Sequence, residues 1–384
     1  MAILYISLLA EMEVEETYSF FELLQIALGN RKSLSQGLSS GEWEYIYNLS
    51  KEQAILGVML KGIQHLPQSQ LPPKLLLLQW VGETNLIQQQ NEIMDKAVVR
   101  LCRVMGEEGI RIFVFKGQTV AALYDDHSLR QSGDIDFYCY SEDWEKAVRY
   151  FKEKVGLKLN DLNSQKDVCF TWDGVIYEMH NQITEFNYPI YSRYWKRVVM
   201  PEILAHPYYV RVGGVDVPTL APTYNALFIF IHIFLHLIAD GIALRQFCDW
   251  ACVLSVQHDE IDVDILQRHL KELGLLKAYS GLGAVLTEML RLNPALFPFE
   301  ISDKDRERLP ALWQNMLERG NFGHNVSYKT KNMFAHGLEH LWRMSKQARE
   351  FYHYAPAEAW WHIPHMFSWW PIKIGRILKK TMRK

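Results

Sequence analysis

The stretch Arg130-Gln-Ser-Gly-Asp-Ile-Asp-Phe-Tyr-Cys-Tyr140 carries two carboxylates one residue apart, Asp134 and Asp136, in an otherwise apolar run. A strand places residues i and i+2 on one face, so both acids aim at one spot while the apolar residues around them fix the strand in a core. Carboxylates this close repel unless a cation neutralises them. Hard divalent ions with oxygen ligands, Mg²⁺ above all, suit such a pair, most usefully where substrate phosphates complete the coordination. The pattern points to metal-dependent phosphoryl or nucleotidyl transfer. Taken alone, an Asp-x-Asp is also common as plain solvated charge, so its surroundings decide the reading.

Upstream, Ile110 to Lys116 reads as a short buried strand, and Gly117 follows where the chain must turn into a helix. That helix is expected from Gln118 to about Tyr124. Its free N–H groups and positive dipole end would suit a phosphate, with the Thr119 hydroxyl beside them. A short loop then carries Arg130 and Ser132. Downstream, Val168 to Trp172 and Val175 to His180 flank Asp173-Gly174, a two-residue hairpin signal. Glu178 and His180 share one face of the second strand. Glu178 is the expected third carboxylate, able to ligate a metal or deprotonate an acceptor hydroxyl, and His180 would contact the nucleotide or support Glu178.

These residues resemble the DNA polymerase beta-type nucleotidyltransferase superfamily, and more closely the bacterial uncharacterised nucleotidyltransferase family. Lys116-Gly117, Arg130, Ser132, Gly133, Asp134, Asp136, Glu178 and His180 match that family's pattern of Lys-Gly turn, Arg, Asp-x-Asp and acid-x-His strand. His232-x-x-x-His236 leading to Leu244-Arg-Gln-Phe-Cys-Asp249 resembles its later segment, so the likeness spans roughly residues 15 to 255. One departure stands out: where many superfamily members have a second small residue at the phosphate turn, this chain has Gln118 and then Thr119. The resemblance implies a two-metal mechanism, with Asp134 and Asp136 holding Mg²⁺ ions, or Mn²⁺ in their place, roughly 3.5–4 Å apart. It further implies Glu178 as third metal ligand and catalytic carboxylate, Gly117, Gln118 and Thr119 as the phosphate turn, and Lys116, Arg130, Ser132, His180 and Arg245 as contacts to the nucleoside triphosphate co-substrate.

The 384 residues, 49% hydrophobic and 22% charged, describe a folded chain long enough for two or three modules. A net charge of −3 argues against a generally basic nucleic-acid binder. Five scattered cysteines without Cys-x-x-Cys spacing are read as thiols of a reduced cytoplasm rather than a zinc site. The apolar start at Met1 to Ala10 lacks a preceding basic residue and is read as a helix rather than a signal peptide. The apolar run Ala226 to Ala239 is shorter than a membrane span and is read as a buried helix.

The fold class expected is α+β, a small mixed sheet flanked by N- and C-terminal helical regions. The divisions expected are a helical region over 1–95, an α/β core over 96–218, a helical domain over 219–352 and an aromatic, basic tail over 353–384. Within the core, a helix is expected from Glu142 to about Val155 and a second hairpin at Gly213-Gly214. His232 and His236, one turn apart, are read as packing against the cleft or hydrogen-bonding in the core, with metal ligation the alternative. Arg245 and Asp249, four apart, suit a surface ion pair or a role in the cleft. Trp360, Trp361, Trp369 and Trp370 precede a tail with six cations and no acid from Lys373 to Lys384, which suits peripheral contact with an anionic inner-membrane surface; tryptophan packing beside a solvated end is the alternative. The functional expectation is transfer of a nucleoside monophosphate to a hydroxyl or phosphate acceptor. Its rivals are a non-catalytic nucleotide sensor or scaffold of an envelope-polysaccharide pathway, and a toxin-like transferase acting on tRNA or protein.

Overall fold

The computed structural model describes residues 15–160, 167–239, 241–320, 333–362 and 364. The helix expected over Met1 to Ala10 lies outside them, as do Trp369, Trp370 and the basic tail. Four helices open the described chain: α1 (Glu15–Ala27), α2 (Ser40–Glu52), α3 (Leu56–Gln64) and the 34-residue α4 (Lys74–Glu107). At α2 a capping box fixes the start: Ser39 Oγ accepts from Glu42 N at 3.3 Å, and the Glu42 carboxylate accepts from Ser39 N at 2.7 Å.

The α+β core follows. Strands β1 (Ile112–Phe115), β2 (Ile135–Cys139), β3 (Asp167–Trp172) and β4 (Val175–His180) form a sheet of order β1-β2-β4-β3. The β1–β2 and β3–β4 pairs are antiparallel and β2–β4 is parallel, so the sheet is mixed. Asp173 and Gly174 turn the β3–β4 hairpin with φ of 49° and 80°, the left-handed angles a two-residue turn needs. The expected hairpin at Gly213-Gly214 also forms, as β5 (Tyr208–Val212) and β6 (Val215–Thr219), in a separate two-stranded sheet. The stretch expected as one helix from Glu142 is shorter, α6 (Trp144–Arg149), and ends in a π-helical turn over Tyr150–Lys154.

Period-two alternation divides the four-stranded sheet. Val114, Ile135, Phe137, Tyr177 and Met179 turn to one face and pack against Met94, Val98, Leu101 and Met105 of α4. The other face, with Phe113, Phe115 and Tyr138, packs on the helical body. The N- and C-terminal helical regions that flank the sheet in the chain share this one core. α1 reaches forward in the chain, its Phe21 ring 4.9 Å from Trp313 and its Gln25 side chain donating to the Met289 carbonyl at 2.8 Å.

Two short helices, α7 (Pro189–Tyr194) and α8 (Met200–Ala205), lead to the helical body proper. It comprises α9 (Pro222–Ala239), α10 (Leu244–Val256), α11 (Val263–Glu272), α12 (Leu276–Ala284), α13 (Asp303–Glu307), α14 (Leu309–Arg319) and α15 (Met333–Phe351). α9 runs four residues further back than the apolar stretch alone indicates. Its 18 residues are long and apolar enough to cross a membrane, yet 78% of them are buried in the protein. An all-round apolar helix is what a core position requires.

Candidate active site

The two strands that carry the acids meet in register. Asp136 on β2 pairs with Phe115 on antiparallel β1 and with Glu178 on parallel β4, and Tyr138 pairs with His180. Asp136, Glu178 and His180 therefore share the face that looks toward α9 and α10. Asp134 sits one residue before β2, half-buried, at the same cleft. A cavity of about 360 Å³ lies between the sheet and the helical body, lined on one side by Lys116, Gly117, Asp134, Asp136 and Glu178. His232 and His236 of α9 and Arg245, Gln246 and Asp249 of α10 line the other, with Arg130 and Ser132 between.

Asp136 is the most tightly held of the acids. Its Oδ1 lies 2.9 Å from His180 Nε2 and its Oδ2 lies 3.4 Å from Lys116 Nζ. Burial by itself pushes its carboxyl up, but Lys116 and the hydrogen bond with His180 outweigh that and hold it below the ordinary carboxylate range. The other two acids move the opposite way. Burial and then the charge of Asp136 raise both Asp134 and Glu178. A divalent cation at this point would supply positive charge to offset both burial and the repulsion from Asp136. A cluster of carboxylates open to a cavity fits a hard divalent ion.

Lys116 reaches this position through an unusual backbone. It has φ of 57° and Gly117 follows at 42°, so the strand ends in an abrupt reversal that returns the ammonium over the sheet face. The Nζ lies 5.3 Å from the Phe115 ring and 5.7 Å from the Phe228 ring of α9. The helix after the turn, α5 (Gly117–Ala121), is shorter than its expected extent to about Tyr124. Thr119 does not present its hydroxyl to the cleft, since Oγ1 donates to the Lys116 carbonyl at 2.8 Å. The buried Gln118 points away too, toward Asp95, with Nε2 donating at 2.5 Å. Of the expected phosphate turn, Gly117 alone lines the cavity.

Arg130 is placed differently from the expected phosphate contact. Its Nε and Nη2 donate to the two oxygens of Asp249, each at 2.7 Å, and its Nη1 donates to Ser132 Oγ at 3.0 Å. Tyr124 donates to the same Asp249 at 2.7 Å. Every nitrogen of the guanidinium fork is engaged inside the protein, so Arg130 and Ser132 position the loop that delivers Asp134. The expected i, i+4 surface pair of Arg245 with Asp249 is not what forms. Arg245 instead donates from Nη1 to the Gln131 carbonyl at 2.7 Å, and its buried Nε has no hydrogen-bond partner. Burial, then repulsion by Arg130, lowers its pKa. A cation held this way is suited to an incoming anion.

The histidine pair lines the cleft, the rings 4.4 Å apart. Burial and then the charge of Lys116 hold His232 well below the ordinary imidazole range and bring His236 down to about 4, so both are neutral at pH 7. Among the described residues the only group of three or more metal-capable side chains is Asp136, Glu178 and His180. Of the two readings of Arg245 and Asp249, both residues take the place in the cleft, whereas Gln246 was not singled out by spacing; its position on the first turn of a helix facing the sheet becomes visible only in three dimensions.

A family model described as "Uncharacterised nucleotidyltransferase" matches residues 39–291, which include every residue of this cleft. The chain belongs to that family. No curated protein matches the sequence. Among solved structures, the chain is similar to an antigenic nucleotidyltransferase-like protein from Paracoccidioides brasiliensis, with 11% identity and a TM-score of 0.34 over 52% of this chain and 92% of that one.

Proposed function

We propose that the protein transfers a nucleoside monophosphate from a nucleoside triphosphate to a hydroxyl or phosphate acceptor, releasing pyrophosphate. The observation that carries the reading is the pairing of Asp136 with Glu178 across parallel strands, with Asp134 at the same cavity. In this reading Asp134, Asp136 and Glu178 hold divalent ions, Mg²⁺ or Mn²⁺. Such ions supply charge neutralisation at the reacting phosphorus and a more acidic acceptor hydroxyl. The chain's own residues orient the reactants. Arg245 and Lys116 bind triphosphate oxygens, Gly117 lets the backbone approach them, and the Arg130–Asp249 pair fixes the loop that aims Asp134. The acceptor oxygen forms its bond to the α-phosphorus as the bond to the bridging oxygen of the β-phosphate breaks, and the acceptor's proton passes to Glu178 or to water.

A second reading is favoured by one observation. Thr119 and Gln118 both turn away from the cleft, which leaves the phosphate turn with fewer donors than transfer chemistry of this kind uses. On that reading the protein binds a nucleotide without turning it over. Equilibrium binding of each nucleoside triphosphate, with and without Mg²⁺, to the wild type and to the Asp134→Asn/Asp136→Asn variant separates the two. A transferase binds productively only with metal and both acids, whereas a sensor binds equally well without either.

A further inference from the structure

We infer that His180 is itself a metal ligand, and that with Asp136 and Glu178 it forms a mixed nitrogen–oxygen site that prefers a borderline ion such as Mn²⁺ to Mg²⁺. The inference rests on the reading of Asp136 and Glu178 as cation ligands and adds the third donor and the selectivity that follows from it.

One donor atom from each of the three residues lies within 4.8 Å of the others. His180 Nε2 is 2.9 Å from Asp136 Oδ1 and 3.7 Å from Glu178 Oε2. Donors bound at about 2.1 Å to one ion stand roughly 3 to 3.5 Å apart, and both distances from His180 Nε2 lie within a few tenths of an ångström of that spacing. The strand register produces the arrangement. Asp136 lies opposite Glu178, Tyr138 lies opposite His180, and period two brings residues 136, 178 and 180 to one face. The imidazole is held in place, its side chain 13% exposed and its ring 5.2 Å from that of Phe115.

Donor chemistry sets the preference. Mg²⁺ favours an all-oxygen shell and gives up water reluctantly, while Mn²⁺ accepts carboxylate and imidazole together. Nε2 and Asp136 Oδ1 share a hydrogen bond. On binding, the proton on Nε2 leaves for Nδ1 or for water and the freed lone pair faces the ion. Asp134, on the far side of Asp136 in sequence and without a nitrogen donor in this group, belongs to the oxygen-rich position that Mg²⁺ suits.

The test uses the full chain, stripped of metal and titrated with Mn²⁺ alone, without nucleotide. Pulsed electron paramagnetic resonance of the bound Mn²⁺ should show nitrogen coupling that changes when the protein is made with ¹⁵N-histidine. The His180→Asp variant, which replaces the nitrogen donor by oxygen, should keep the ion and lose the coupling. Calorimetry should give Mn²⁺ about tenfold or more tighter binding than Mg²⁺ in the wild type, and near-equal binding in the variant. Mn²⁺ bound without nitrogen coupling, coupling that survives His180→Asp, equal affinity for both ions in the wild type, or binding of neither would overturn the assignment. Should His180→Asp fail to fold, the His232→Gln/His236→Gln variant decides instead: coupling that it keeps belongs to His180, and coupling that it loses overturns the assignment. Nitrogen coupling without any nucleotidyl transfer would leave this site standing and sink the transfer reading; acid-dependent transfer without coupling would do the reverse.

Discussion

Arg130 and Asp249, 119 residues apart in sequence, meet in a buried bidentate pair with both N···O distances at 2.7 Å. The pair joins the loop that carries Asp134 to the α10 helix of the helical body. Asp249 outweighs the cost of burial and holds the guanidinium firmly charged. Breaking such a pair from one side leaves an uncompensated charge in the interior, which costs about 3–5 kcal/mol. Asp249→Asn and Arg130→Met should each lower stability by that order in urea unfolding. The Arg130→Met/Asp249→Leu double variant should recover much of the loss, because the desolvation of both charges disappears with them. A single variant that lost less than about 1 kcal/mol would show the pair to be dispensable.

Arg245 answers to a different expectation. Its Nε has no partner and its charge is held against burial, so removing it should cost the fold little. Arg245→Met should leave the unfolding midpoint near that of the wild type. Affinity for a nucleoside triphosphate should fall about ten- to a hundredfold, the loss of one or two charge-assisted hydrogen bonds. Unchanged affinity together with a large loss of stability would reverse the roles assigned to Arg245 and Arg130.

At Gly57 on α3 the helix comes close to the loop before Arg130. A Cβ there would meet the Leu129 carbonyl oxygen at 2.4 Å, a backbone atom that cannot turn aside. Gly57→Ala should therefore push Leu129 and Arg130 outward, costing on the order of 1–3 kcal/mol and weakening triphosphate binding along with it. Thermal unfolding and nucleotide titration on the same sample check both effects. Gly29, with nothing within 4 Å of its Cβ position but φ of 78°, is the contrast, because its alanine variant pays only the backbone cost.

Stability should depend on pH through Glu358. Its buried carboxyl is pushed up to about 7 by burial, against the opposing pull of backbone N–H groups of Asn187 and Tyr188. In the folded protein this acid keeps its proton in a range where the unfolded chain, near the ordinary value of about 4.3, has lost it. The stabilisation from the neutral form is thus complete below about pH 4 and declines as pH rises toward 7, by roughly 3 kcal/mol in total. Urea midpoints taken from pH 5 to 8 should fall for the wild type and flatten in Glu358→Gln. Equal slopes for the two would remove Glu358 as the cause.

Much of the sheet and of the acid site was legible in one dimension. Alternation in Val175 to His180 put Glu178 and His180 on a common face, and Asp173-Gly174 named the turn, because period two and left-handed turn residues are local properties. What the side chains of the loop and short helix bond to was not legible. Thr119 chose the carbonyl three residues back over the cleft, and Arg130 chose Asp249, far away in sequence. Such choices depend on which polar groups burial brings together, and that follows from the packing of α10 on the sheet rather than from spacing. The merging of the first helices with those after residue 219 was hidden for the same reason, since Phe21 and Trp313 reveal their contact only once the chain has folded.

If Asp134 and Asp136 serve nucleotidyl transfer, replacing both must abolish it. The most direct measurement incubates the wild type and the Asp134→Asn/Asp136→Asn variant with each nucleoside triphosphate radiolabelled at the α-phosphate, with Mg²⁺ or Mn²⁺ and a cell lysate as acceptor source. Label should move onto an acceptor with the wild type and with no preparation of the variant. Label moved equally by both proteins, or by neither while both bind the triphosphate without metal, would contradict it.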